Sequence, residues 1–330
     1  MQLIIDKKGT GLSVKNGLYL IRHDEGEQQL APSKVSAIFL SPASKITHEV
    51  VRIALENETE ITFVDRRGQP FARVWSPRYG SVSTIRKNQV DFVQSPAAIA
   101  WVKDLISRKT ENQIALLAIL ASEEPGWEQV IIEAQEEIEA TRSKMMAQQG
   151  ETLKELANSF RGSEGRASRL YFTTLSKMLP EAYRFEKRSR QPARDMFNAM
   201  LNYAYGMLYA RVETALIKSG IDPYLGIFHR DEYNRPVLVY DCIEHYRVWA
   251  DYVVSKLCME QAVFPDFFTV EEDAWWLQGS SKRIVAQSMN DYLGETVMRN
   301  GLSRSRATHI DLEMQALATM FKQFNQEDHD

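Results

Sequence analysis

The apolar pattern of this 330-residue chain changes once, at Ser76–Ser83 (SPRYGSVS), and that change limits the folds open to it. Before it, apolar residues recur at strand spacing. Leu3–Ile5, Leu12–Val14, Val35–Leu40, Ile61–Val64 and Phe71–Trp75 read as strands, with Gly9–Gly11 and Arg66–Gly68 as turns. Asn16-Gly17, between alternating segments, is the strongest short hairpin signal a sequence offers. Only Thr47–Glu58 departs, with Val50, Val51, Ala54 and Leu55 at helical spacing. Beyond Ser83 the strand signals nearly vanish. Ala97–Ala121, Gly126–Phe160, Arg194–Ser219, Val237–Cys258 and Glu271–Asn300 read as helices, punctuated by Pro125-Gly126 and Asp222-Pro223. The tail from Gln323 is polar and expected to fray. The expected fold class is therefore α+β: a small β-rich N-terminal domain (residues 1–80) and a larger all-α domain (81–330).

Charge and composition narrow the function. Apolar and charged fractions of 44% and 25% are those of an ordinary globular protein. No apolar run approaches a membrane span, and MQLIIDKKG lacks the apolar core of a signal peptide, so a cytoplasmic protein is expected. Cys242 and Cys258 have neither zinc-site nor disulfide-framework spacing. The net charge of −4 conceals segregation: Arg161–Arg194 holds nine Lys or Arg against three acids, and Glu123–Glu155 the reverse. A basic block inside an acidic chain is compatible with a polyanion partner. No nucleophilic Ser or Cys has a matching base, and neither GxxxxGK[ST] nor GxGxxG occurs, which argues against a covalent triad and intrinsic ATP use.

Two stretches carry candidate chemistry. In Gly220–Arg247, His229 lies in a short loop ahead of a segment bearing Asp241 and Glu244, three residues apart. If that segment is helical, both carboxylates lie on one face, one turn apart. Val237–Tyr240 reads equally as a short buried strand, but no breaker interrupts Val237–Cys258, which favours helix. A neutral imidazole with carboxylates suits Mg²⁺ or Mn²⁺. The spacing by itself favours a plainer reading, an N-cap network and surface charges, so a third ligand must come from elsewhere. Arg161–Phe172 (RGSEGRASRLYF) offers one: Glu164, between Gly162 and Gly165 and among Arg161, Arg166 and Arg169. It is either their charge partner or a metal ligand in a pocket for a polyanion.

RGxEGRAxRxYF, then GxDPxxGxxH, then DxxExxR, together with the N-terminal IIDKKGTGLSVKNG, the Arg86–Gln89 stretch and Asn198–Leu208, resembles the CRISPR-associated protein one family. The likeness covers nearly the whole chain. It implies a metal-dependent DNA integrase and endonuclease of spacer acquisition, in which the 3′-hydroxyl of a captured duplex attacks the repeat backbone. By the same resemblance Glu164, His229 and Glu244 are the ligands of Mg²⁺ or Mn²⁺, and Asp241 is a supporting acid. Arg161, Arg166, Arg169, Tyr171 and Arg247 are the candidate DNA contacts; Tyr171 reads at least as well as a residue packed near the site, and Arg247 equally as a surface salt bridge. Many members carry proline after the second acid and after the arginine. Here those positions are His245 and Val248, so the exit of that segment is expected to differ. The family also implies a homodimer, two of which are bridged by the small CRISPR-associated protein two. The strands of residues 1–80 are too few to cover both sheet faces, so this part is expected to supply most of the dimer contact. A stand-alone branched-DNA nuclease, a transposon-encoded integrase of the same fold and a non-catalytic DNA-binding scaffold are the alternatives.

Overall fold

The structure, a computed structural model, describes residues 2–24, 26–35, 37–57, 59–65, 70–74, 83–123, 126–229, 233 and 235–325. The expected linker up to Val82, the turn Arg66–Gly68, Trp75, Pro125 and the last five residues of the polar tail lie outside them. The chain forms two compact units, Met1–Ser81 and Val82–Asp330.

The first unit contains β1 (Gln2–Ile5), β2 (Gly11–Lys15), β3 (Leu18–His23), β4 (Gly26–Leu30), β5 (Ala37–Leu40), β6 (Lys45–Ile46), α1 (His48–Glu56), β7 (Glu60–Val64) and β8 (Pro70–Val74). One sheet has the order β1-β5-β7-β8, parallel except for the last pair; the other has the order β4-β3-β2-β6. Asn16 and Gly17 close the β2–β3 hairpin with φ of +53° and +75°, the left-handed pair that a two-residue turn requires. Leu3, Ile5, Leu12, Tyr19, Ile38, Val50 and Ile61 join both sheets and α1 in one core. Strands β4 and β6 carried no readable signal: β4 is almost wholly exposed, and β6 is two residues long.

The second unit is mostly helical: α2 (Ser83–Gln94), α3 (Ala97–Glu123), α4 (Glu128–Met146), α5 (Leu153–Met178), α6 (Met196–Lys218), α7 (Val237–Cys242), α8 (Arg247–Met259), α9 (Gly279–Gly294) and α10 (Arg306–Gln323). Helix α6 is apolar on almost every side and is correspondingly buried, with α7, α8, α9 and α10 packed against it. Asp195 caps it, accepting from the Asn198 N–H at 2.7 Å.

Three expected helices are corrected. Gly126–Phe160 is two helices, broken at residues 147–152. A Cβ on Gly150 would lie 2.9 Å from the Leu156 side chain, so the turn admits only glycine without rearrangement. Val237–Cys258 breaks into α7, a 3-10 turn at Ile243–His245 and α8. Glu271–Asn300 is the most altered: α9 is flanked by the hairpins β9 (Phe268–Glu271)–β10 (Ala274–Leu277) and β11 (Thr296–Arg299)–β12 (Leu302–Ser305). Their turns, Glu272-Asp273 and Asn300-Gly301, have positive φ throughout. The Asn300-Gly301 signal is the same as that of Asn16-Gly17 and was there to be read. Helix α5 runs on through Arg161–Phe172, so Glu164 and its arginines are helical.

Candidate active site

The loop that carries His229 is tied down before the site begins. Buried Gln89 on α2 donates to the Asp222 and Leu225 carbonyls, at 2.8 and 3.2 Å, and accepts from the Asp222 N–H at 3.1 Å. Gly226 lets the loop fold back on itself, since a Cβ there would lie 2.7 Å from the His229 carbonyl oxygen. Fully buried Asp241 then accepts from the backbone N–H groups of Ile227, Phe228 and His229 at 2.8–3.0 Å. It also meets the His229 ring at Nδ1, 2.6 Å away. Held there, the imidazole keeps Nε2 as its open nitrogen, the arrangement seen where a carboxylate orients a ligating histidine. Burial works against the imidazolium, but the Asp241 hydrogen bond and the Asp241, Glu244 and Glu164 charges outweigh it, and the His229 pKa is raised.

Glu244 follows Asp241 by three residues, at the 3-10 turn that ends α7, and a non-α stretch within a helical run often marks a functional site. Its Oε1 lies 2.9 Å from Arg247 Nε and its Oε2 2.7 Å from Lys109 Nζ. Lys109, on α3, also pairs with Glu164 Oε1 on α5. One ammonium is thus shared by two carboxylates from distant parts of the sequence. Burial alone would raise the Glu244 pKa, but Arg247 and Lys109 overcome it and hold the group at about 2.

Glu164, His229, Glu244, Lys109, Arg169, Arg188 and Arg247 line one cleft of about 420 Å³. Beneath it Asp251 is fully buried and accepts from Tyr171 at 2.9 Å and Tyr205 at 2.6 Å. Even so, burial raises its pKa to about 6. Arg188, which donates to Asn198 and Asn202, closes another wall.

The expected DNA contacts separate on this geometry. Arg169 is exposed at the cleft, and Arg166 is 66% exposed with only a 3.9 Å approach to Glu137. Of the two readings of Tyr171 the fold gives the packed one: it is fully buried, with its hydroxyl on Asp251 in the floor of the cleft. Arg161 donates to the Phe228 carbonyl at 3.1 Å and lies over the Phe228 ring, which makes it a brace for the His229 loop. Arg247 lines the cleft but is engaged by Glu244 and by the Tyr209 hydroxyl at 2.8 Å, with its guanidinium over Tyr205. Sequence reasoning gave no role to Lys109, Asp251, Tyr205 or Gln89. Gln89 and Tyr205 lay in stretches that carried a signal, Arg86–Gln89 and Asn198–Leu208; Lys109 and Asp251 had none.

Among the described residues, no three His, Cys, Asp or Glu side chains are gathered as a ready metal cage. The donor chemistry nevertheless fits a divalent ion. Two carboxylates already converge on one cation, and the imidazole on the same cleft is oriented through Nδ1. Lys109 is what stands where the ion's charge would be.

Comparison with known proteins agrees with the fold. The chain is 27% identical to CRISPR-associated endonuclease Cas1 1 of Archaeoglobus fulgidus over 314 residues, 91% of this chain and 90% of the relative. It is 36% identical to CRISPR-associated endonuclease Cas1 3 of Thermus thermophilus over 185 residues, 54% of this chain and 51% of the relative. A casposase bound to its integration product superposes with a TM-score of 0.82 at 21% identity, covering 98% of this chain and 91% of the other. A Cas1 protein of Thermotoga maritima gives 0.80 at 17% identity, covering 97% of each chain. Among the described residues no helix is long and apolar enough to cross a membrane. The family model for CRISPR associated protein Cas1 matches residues 3–291, and the chain belongs to that family.

Proposed function

We propose that this chain is a metal-dependent DNA integrase and endonuclease of CRISPR adaptation, joining the 3′-hydroxyl of a captured duplex to a phosphodiester of the repeat. The observation that carries the reading is the meeting of Glu164, His229 and Glu244, from α5, a loop and a 3-10 turn, on one cleft with basic walls. The names of the two curated relatives above, both endonucleases, support it, as does the fold shared with a casposase caught with its integration product.

Glu164, His229 and Glu244 would hold Mg²⁺ or Mn²⁺. When bound, such an ion polarises phosphate oxygens and neutralises charge on the leaving oxygen. The chain supplies the rest. Asp241 fixes the imidazole tautomer and ring plane, so His229 presents Nε2. Arg169, Lys187, Arg188 and Arg190 line the cleft with positive charge suited to a phosphate backbone. The floor of Tyr171, Tyr205 and Asp251 is buried and joined by hydrogen bonds, which limits bulk water on one side of the site. DNA is the substrate, and the working unit is a homodimer built through the N-terminal unit, where Ile4 and Phe71 expose apolar surface on the outer strands β1 and β8. The small partner Cas2 joins two such dimers; a structure of this fold (TM-score 0.76) is titled a Cas6-RT-Cas1–Cas2 complex.

The test is a strand-transfer assay with a 3′-hydroxyl duplex, a repeat-bearing plasmid, Cas2, and either Mg²⁺ or EDTA. Joined product with Mg²⁺ and none with EDTA is expected. Cutting without joining marks a stand-alone nuclease, and DNA binding with neither marks a scaffold.

A further inference from the structure

The two carboxylates at the centre of the site already hold a cation, and it belongs to the chain. Lys109 is buried, and its ammonium is shared between Glu164 Oε1 and Glu244 Oε2. Lysine is seldom buried unless paired. Burial opposes its charge, but Glu244 and Glu164 prevail and its pKa is raised. The second cation, Arg247, is built in differently. It holds the other oxygen of Glu244 and is anchored by the Tyr209 hydroxyl and the Tyr205 ring. Lys109 has no such anchor: among the described residues the two carboxylates are the only partners of its ammonium. Its stem is flexible, and the cleft opens beside it.

We propose that Lys109 is a resident counter-ion of the metal site, lying between Glu164 and Glu244 while no divalent ion is present and withdrawing into the cleft when one binds. This rests on the metal-site reading above and deepens it. An ammonium paired with a carboxylate oxygen sits at about 2.7–2.9 Å from it, and a divalent ion held by the same two oxygens would claim the same space. Two like charges that close would repel strongly in a shielded site. Without the lysine the two carboxylates face each other with no cation between them. With it they are already converged on one cation. Metal affinity is lowered by the competition, and the displaced ammonium enters a cleft where a phosphate oxygen of bound DNA is the partner its charge requires. Lys109 is therefore a positioning residue for the carboxylates before the ion arrives.

The experiment is a calorimetric Mn²⁺ titration of wild type, Lys109→Met and Lys109→Gln, with thermal unfolding in EDTA and in Mn²⁺. Lys109→Met is expected to bind Mn²⁺ at least about tenfold more tightly than wild type. It should also melt lower in EDTA and recover with Mn²⁺. An unchanged or weaker Kd in a folded variant overturns the proposal. If neither wild type nor variants bind Mn²⁺, the metal-site reading fails and this inference falls with it. Acetylation footprinting of wild type covers the case in which both variants fail to fold. Lys109 should be protected in EDTA and modified several-fold more in Mn²⁺; equal protection overturns the proposal.

Discussion

The two units of the chain treat charge in opposite ways. Among the described residues of Met1–Ser81, the buried polar side chains are threonines, Thr10, Thr59 and Thr62, and no charged group is buried. Two of its ion-pair groups, Arg22 with Glu27 and Arg52 with Glu49 and Glu56, are about half exposed, and Arg73 with Glu60, 3.1 Å apart, is more covered but still reaches solvent. Val82–Asp330 buries Lys109, Asp241, Glu244 and Asp251, with Arg247 nearly covered. Removing charge from water costs several kcal/mol per ion, and a well-packed apolar core does without it. The first unit shows that this chain can build such a core. The charges buried in the second are therefore concentrated where chemistry needs them, around one cleft.

The sharpest way to break that comparison is Glu244→Ala. It leaves Arg247 without its carboxylate and Lys109 with only one, and removing one partner of a buried pair costs about 3–5 kcal/mol. Urea unfolding measures it; a loss below about 1 kcal/mol would place this network with the surface pairs.

Glu164→Ala separates chemistry from folding, because Lys109 keeps Glu244 as a partner. Strand transfer is expected to fall by on the order of 10²–10³ or more. Binding of branched or 3′-overhang DNA should persist, with an unchanged salt dependence, since lysines and arginines carry it. Undiminished strand transfer removes Glu164 from the catalytic set.

Asp251 gives the comparison a pH dependence. Its folded pKa of about 6 lies above the ordinary value of 3.8, so the folded state binds its proton more tightly than the unfolded state does. That destabilises the fold fully above pH 6, and the penalty fades as pH falls toward 4. Each pKa unit is worth about 1.4 kcal/mol, so wild type should gain up to about 3 kcal/mol relative to Asp251→Asn across that interval. Parallel stability curves for the two proteins between pH 4 and 6 would show that the carboxyl is not strained by burial.

The smallest effect belongs to the first unit. Arg52→Ala removes two exposed helical ion pairs and should leave the urea midpoint indistinguishable from wild type. A clear shift would mean that surface charge does matter to this unit.

The sequence by itself determined what short-range chemistry can write. Alternation and the Asn16-Gly17 turn specify the β2–β3 hairpin, and helical spacing specifies α1, α3 and α6, because backbone dihedrals and apolar faces are set within a few residues. Asn300-Gly301 specified a hairpin just as plainly, although the surrounding residues read as helix. Motif resemblance singled out Glu164, His229, Asp241 and Glu244. Tertiary structure alone decided what faces them. Lys109 reaches Glu164 across 55 residues of sequence, and Tyr171 meets Asp251 across 80. No local pattern marks a lysine as the buried counter-ion of two distant carboxylates, or a tyrosine as floor instead of DNA contact. Those outcomes depend on which groups packing strips of water together, and desolvation and Coulomb attraction are set by three-dimensional distance, not by spacing along the chain.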